Sequence, residues 1–121
     1  MRLTLRLDLD ETRHIGHGKI KLIELVAQTG SISAAARAMN MSYRRAWLLI
    51  HDVNCMFTHP IIETQLGGKG GGHAKLTAEG QSLINLYRSI ESTIQKDWAA
   101  DLAQLNKGLT PAPHIKKSKS I

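Results

Sequence analysis

The sequence predicts a mainly α domain with a small antiparallel sheet, and three stretches carry that prediction. Residues 30–57 read as two helices joined by a very short turn, the first alanine-rich and the second opening on two arginines. Residues 61–76 read as strand, glycine-rich loop, strand, which is a β-hairpin with a flexible tip. Residues 78–105 carry one apolar stripe along a long helix. Helix pair, hairpin and long helix in that order make a winged helix-turn-helix with a long C-terminal dimerisation helix. The expected organisation is one domain over residues 1–105 and a basic, disordered tail over 106–121.

The elements follow in order. Arg2-Leu3-Thr4-Leu5-Arg6-Leu7-Asp8-Leu9 alternates strictly, leucines on one face and charged or hydroxyl groups on the other, as in a half-buried strand. That strand is expected to lie beside the hairpin as its third member. Residues 10–18 read as a loop. His14 and His17 within it are three apart, but two ligands on a loop do not make a metal site, so none is assigned. Residues 19–29 form a helix apolar over most of its circumference, through Ile20, Leu22, Ile23, Leu25, Val26 and Ala27. Gly30 is placed to end it in a left-handed C-cap.

In the next helix Ile32, Ala35, Ala36 and Met39 fall at i, i+3, i+4 and i+7, with Ser31 or Ser33 able to cap it. Asn40-Met41-Ser42 breaks the pattern and Ser42 can cap again. From there Ala46, Ile50, Val53 and Phe57 repeat as a buried stripe, leaving Arg44, Arg45, Leu48, His51, Asp52 and Cys55 outside. Trp47 stands at the edge of the apolar face and is expected to be core. His59-Pro60 stops this helix.

The glycine run Gly67-Gly68-Lys69-Gly70-Gly71-Gly72 is not a nucleotide-binding P-loop, because Gly70 stands where Ser or Thr must follow the lysine. It reads as a solvated connector or, preferably, as a nucleic-acid contact: glycines let backbone amides approach a phosphate, and Lys69 adds charge. Thr77 caps the last helix, with Glu79 in the first turn. Its stripe comprises Leu83, Tyr87, Ile90, Ile94, Trp98, Leu102 and Leu105. Residues 78–105 would span about 42 Å at 1.5 Å per residue, beyond what a compact domain can cover. The expected partner is the same helix of a second copy. Trp98 belongs to core or seam, and Gly108, Pro111 and Pro113 end the order.

Composition sets outer limits. Hydrophobic residues make up 42% of the chain but aromatics only 4%, so aliphatic side chains must build the core. The net charge of +6 favours a polyanionic partner, yet Lys107, Lys116, Lys117 and Lys119 near the C-terminus supply much of it. Location therefore matters more than total charge. Cys55 is the only cysteine, which excludes an internal disulfide and fits a reducing compartment. The N-terminus has no signal-peptide core and no run reaches transmembrane length, so the expected location is cytoplasmic. No triad, paired carboxylates or metal cluster points to an enzyme, and no cofactor is implied.

Gly30-Ser31-Ile32-Ser33-Ala34-Ala35-Ala36-Arg37, Ser42-Tyr43-Arg44-Arg45-Ala46-Trp47 and Gly67-Gly68-Lys69-Gly70-Gly71-Gly72, followed by Leu76-Thr77 and Gly80, resemble the DNA-binding part of the molybdate-responsive regulator family, ModE. The order of elements is also similar to the amino-terminal domain of LysR-type regulators. The resemblance covers residues 3–105. It implies operator DNA bound by a homodimer, with the terminal helix in the dimer contact. The chain ends where that family's oxyanion-binding domain would begin, so the expectation is a reader without molybdate binding or another evident effector site. Arg44 and Arg45 are expected on base edges or phosphates. Ser33, Ser42 and Tyr43 are expected on phosphates, and Lys69 and Lys75 on the backbone or minor groove beside the wing. A rival expectation is a winged-helix adaptor that dimerises and docks a protein without specific DNA binding.

Overall fold

The computed structural model describes residues 1–65 and 73–112. Its elements are β1 (Arg6–Asp8), β2 (His14–Gly16), α1 (His17–Thr29), α2 (Ile32–Ala38), α3 (Tyr43–Met56), β3 (Ile62–Gln65), β4 (His73–Leu76), α4 (Ala78–Asp97) and α5 (Ala99–Lys107). The glycine run with Lys69 and most of the basic tail fall outside the described residues.

The apolar residues of α1 set the centre of the fold. Leu22, Ile23 and Val26 are buried with Ile32, Ala35 and Ala36 of α2 and Ala46, Ile50 and Val53 of α3. The small alanines let α2 approach both neighbours closely. Gly30 ends α1 in the left-handed conformation (φ 71°), donating to the Val26 carbonyl at 2.7 Å, as its position predicts. Its own carbonyl accepts from the Ala74 amide at 3.0 Å, which pins β4 to the corner between α1 and α2.

The turn between α2 and α3 is a Schellman motif. Asn40 stands at φ 57°, its amide donates to Arg37 O at 3.1 Å, and the Met41 amide reaches Ala36 O at 3.0 Å. Asparagine tolerates this left-handed backbone better than most residues, so the chain reverses within a few positions and Ser42 can open α3 at once.

β3 and β4 form the antiparallel wing, in register Ile62↔Leu76, Glu63↔Lys75, Thr64↔Ala74 and Gln65↔His73. The N-terminal strand does not join it. β1 pairs with β2 instead, as a separate two-stranded sheet with Leu7 opposite Ile15. The connecting turn is closed by Asp10, whose carboxylate accepts from the Thr12 and Arg13 amides at 3.0 and 2.8 Å. The Arg13 guanidinium beside it, with those amides, holds the Asp10 carboxyl down at about 2. A three-residue strand that ends on Gly16 leaves almost no periodicity, which is why residues 10–18 read as loop; His17 and Gly18 belong instead to the first turn of α1. The leucine alternation holds in part: Leu3, Leu5 and Leu7 are half-buried and Arg2, Thr4 and Arg6 exposed, but Leu9, past the end of β1, is exposed too.

The C-terminal helix departs most from expectation. It is interrupted at Trp98 (φ −112°, ψ 17°), which closes α4 and opens α5. No proline or glycine marks the break, and nothing in the local sequence explains it. The stripe is also divided. Tyr87, expected at a dimer seam, is fully buried in its own chain with Ile15 and Ile20, and its hydroxyl donates to the Leu5 carbonyl. Leu83 packs against the same interior. Ile90, Ile94 and Leu102 are half-buried and Trp98 is exposed. The inner turns of α4 therefore complete the domain's own core, because β1 and β2 supply a second small cluster for them to cover.

An ion-pair clamp fixes α4 against α1. Arg88 donates to both Glu24 oxygens (3.0 and 2.6 Å) and to Glu91 at 2.7 Å. The bidentate guanidinium lowers the Glu24 carboxyl against the opposing effect of burial, and the two carboxylates push Arg88 further up. No helix of the described residues is long and apolar enough to cross a membrane.

Candidate nucleic-acid interface

The candidate interface begins with two capped helix starts. Ser31, not Ser33, caps α2, its hydroxyl accepting from the Ala34 amide at 3.0 Å. Ser33 lies within the first turn, and its hydroxyl accepts from the Arg37 guanidinium at 2.9 Å. Ser42 caps α3 by accepting from the Arg45 amide at 3.1 Å. The cap fixes the direction in which the first turn of α3 leaves the domain, with Tyr43, Arg44 and Arg45 all exposed.

Ala46, Ile50 and Val53 bury one side of α3 and so define the other. Its outer face carries Arg44, Leu48, His51, Asp52 and Cys55, as the spacing predicts. Trp47 contradicts expectation. It is 42% exposed and stacks on His51, ring centroids 5.0 Å apart and planes 7° from parallel. At 100° per residue it stands about 90° from the centre of the buried stripe, too far round to enter the core.

Arg44 and Leu48 form a ridge between two shallow clefts. One, about 510 Å³, is lined by Tyr43, Arg44, Trp47 and Leu48. The other, about 450 Å³, runs between Arg44, Arg45 and Ser42 and the residues His14, Lys19 and Asp52. Lys19 is already engaged there, on Asp52 at 2.9 Å and the His14 carbonyl at 3.0 Å. Arg6, Arg13 and Arg88 also have carboxylate partners. Among the described residues, Arg44 and Arg45 form no ion pair. Two exposed guanidiniums without carboxylates, side by side at a helix start, are available for an anionic ligand.

The wing is fixed relative to α3 by one side chain. Asn54 Oδ1 accepts from the Ile61 and Ile62 amides at 2.8 and 3.0 Å, and its Nδ2 donates to the Ile62 carbonyl at 2.9 Å. Thr77 closes the far end, its amide donating to Ile61 O at 3.0 Å and its hydroxyl to Pro60 O at 2.7 Å. Gly80 packs directly on this junction; a Cβ there would overlap the Ile61 carbonyl oxygen and the Leu76 side chain. Lys75 is exposed on β4 opposite Glu63, so one acid partly offsets its charge. Lys69 lies outside the described residues.

Of the residues picked out for DNA, Ser42, Tyr43, Arg44 and Arg45 thus share one helix start. Ser33 sits on the adjoining helix and Lys75 on the wing. Sequence reasoning passed over Asn54, which reads as one more boundary polar residue, and Arg37, a lone base in the last turn of α2. It also placed Trp47 on the wrong side. A strict count of 100° steps from Ala46 would have put the indole outside.

The family described as bacterial regulatory helix-turn-helix protein, lysR family, matches residues 18–81, the span from α1 through the wing to the start of α4. The molybdenum-pterin-binding protein MopB of Rhodobacter capsulatus is 36% identical over 103 residues, covering 79% of this chain and 38% of its own. The DNA-binding transcriptional dual regulator ModE of Escherichia coli (strain K12) is 38% identical over 94 residues, 78% of this chain and 36% of its own. MopA of Rhodobacter capsulatus is 37% identical over 82 residues, 68% of this chain and 31% of its own. The chain thus spans about a third of the length of these relatives. With the capped helix pair, the Asn54-braced wing and this match in register, the chain belongs to the bacterial regulatory helix-turn-helix proteins of the lysR family, in the ModE-type winged form.

Proposed function

We propose that this chain is the DNA-reading part of a cytoplasmic transcriptional regulator, binding operator duplex as a homodimer with α3 in the major groove. The observation that carries the reading is the pair Arg44 and Arg45, exposed and without a carboxylate partner among the described residues, at the Ser42-capped start of α3. Arginine matches both guanine edges and phosphates bidentately, and backbone amides at helix starts donate to phosphate oxygens. Arg44, on the outermost line of α3, takes a base edge. Arg45, Ser42 and Tyr43 hold the flanking backbone, with Ser33 from α2. Lys75 and Lys69 follow the neighbouring strand from the wing. The role is recognition rather than catalysis. Molybdate binding is not assigned to these residues; the names of the relatives describe proteins about three times as long.

The second copy is supported by the outer half of the C-terminal stripe. Ile90, Ile94, Trp98 and Leu102 remain half-buried or exposed on one chain, and α5 has no buried residue. An apolar stripe of this length in water is a seam awaiting its mate. Leu83 and Tyr87 take no part in that seam, since they already close the domain's interior.

Selection of bound sequences from a random duplex pool tests the reading. Enrichment of one motif, repeated with two-fold symmetry, is the expected result. A pool that stays random after several rounds contradicts sequence-specific reading and favours a winged-helix adaptor that docks a protein.

A further inference from the structure

We propose that Trp47 and Leu48 are specificity-determining residues that read the 5-methyl groups of thymines in the major groove, beside the bases contacted by Arg44. The inference rests on the DNA-reading function proposed above and goes beyond it, since it assigns a base identity to an apolar surface. Tyr43, Trp47 and Leu48 are 55%, 42% and 47% exposed on α3, Tyr43 one turn before the adjacent pair Trp47 and Leu48. Single exposed apolar residues are ordinary, but these three are contiguous and line one cleft together with Arg44. The indole is also held in place. Its stack on His51, at 5.0 Å and 7°, fixes its orientation before any partner arrives, which lowers the ordering cost of a contact.

The chemistry of the surroundings selects the partner. A protein interface of ordinary size buries about 800 Å² on each side, far more than three side chains on one helix offer. Unpaired Arg44 lies within the patch and unpaired Arg45 lines the neighbouring cleft, so an apolar protein surface docking here would bury a guanidinium without a partner. The major groove instead presents anionic phosphates, guanine acceptors and, as its one apolar feature, the thymine methyl. An arginine next to an indole and an isobutyl group matches that mixture.

The test uses the duplex recovered from the random pool, resynthesised with one thymine at a time replaced by deoxyuridine, which removes only the methyl. Wild-type protein should lose about fourfold in affinity for each methyl it touches, at roughly 0.8 kcal/mol per buried carbon. The Trp47→Ala, Leu48→Ala double variant should bind thymine and uracil duplexes alike. Equal wild-type affinity for the two duplexes overturns the proposal while leaving DNA reading intact, as does a selected motif without thymine. A double variant that still discriminates overturns it too. Should the variant not fold by circular dichroism, the wild-type ratio alone decides. Failure of the pool to yield any motif removes the DNA reading and this inference together.

Discussion

Two parts of the molecule expose large apolar side chains, and they differ in what surrounds them. On α3, Trp47 and Leu48 share their surface with unpaired arginines, and the helix is locked to the wing by the three hydrogen bonds of Asn54. On the C-terminal helices, Trp98 and Leu105 are more exposed still, at 56% and 65%, yet α5 carries one acid in its first turn and one base in its last. Exposure alone does not distinguish the two. The charge beside it does: apolar groups among unpaired cations suit a nucleic-acid groove, and apolar groups on a charge-balanced helix suit another apolar helix. The contrast extends to rigidity. The reader is braced from α1, β3 and α4, whereas α5 has no buried residue and meets, besides its junction with α4 at Trp98, only a shallow cleft shared with Met1 and Leu3 among the described residues.

The contrast can be broken at either end, and the largest effect is expected at the reader. Arg44→Ala with Arg45→Ala should cost roughly 1–3 kcal/mol of specific affinity through the lost Arg44 base contact, with a further sequence-independent loss from the Arg45 phosphate contact, and leave thermal stability unchanged because both side chains are solvent-exposed. Anisotropy titration of the selected duplex measures it; unchanged affinity would remove α3 as the reader.

Ile94→Asp attacks the other end. Sedimentation should show a folded monomer with weakened operator binding, since a charge at a dimer seam costs several kcal/mol unpaired, on the order of 3–5. A monomeric wild type would contradict the seam.

Gly80→Ala probes the frame between the two regions. The added methyl meets the Ile61 carbonyl and Leu76, so wing and α4 must separate, at about 1–3 kcal/mol of unfolding free energy. Urea melts report this directly, and a variant as stable as wild type would show that the junction relaxes freely.

The smallest effect belongs to the α1–α4 clamp. Arg88 holds the Glu24 carboxyl below its ordinary 4.5, so the folded state binds this proton less readily than the unfolded chain does. The contribution is complete above the unfolded value and is lost as pH falls through the folded one. Glu24→Gln should therefore lower stability by about 1 kcal/mol at pH 7 and flatten its dependence on pH below about 4.5. Equal pH slopes in variant and wild type would show that the clamp contributes nothing.

Much of this architecture was legible because it repeats. The stripes of α1, α2 and α3 recur at helical spacing, and Gly30 and Ser42 mark ends and starts that backbone hydrogen bonding requires. What was not legible arises from contacts between distant residues. β2 is too short for periodicity and exists because Leu7 and Ile15 face each other and Ile15 joins Tyr87 and Ile20 in the interior. Tyr87 shares the stripe of Ile94 in sequence, and only the position of β1 decides that one faces inward and the other stays half-exposed. The interruption at Trp98 has no local signature at all. At the interface, the arginines and the Ser42 cap could be read directly, while Asn54 could not, because its partners lie on a strand after a helix stop.

The central claim is that α3 and the wing form a charged reader of duplex DNA. Its most direct test is the affinity of the full chain for the selected duplex across a series of salt concentrations from about 50 to 200 mM, where each neutralised phosphate contributes a slope near −0.9. The account predicts a linear fall in log K with log salt, of slope about −3 or steeper. Affinity that does not change with salt, or no duplex binding at 50 mM, would contradict it.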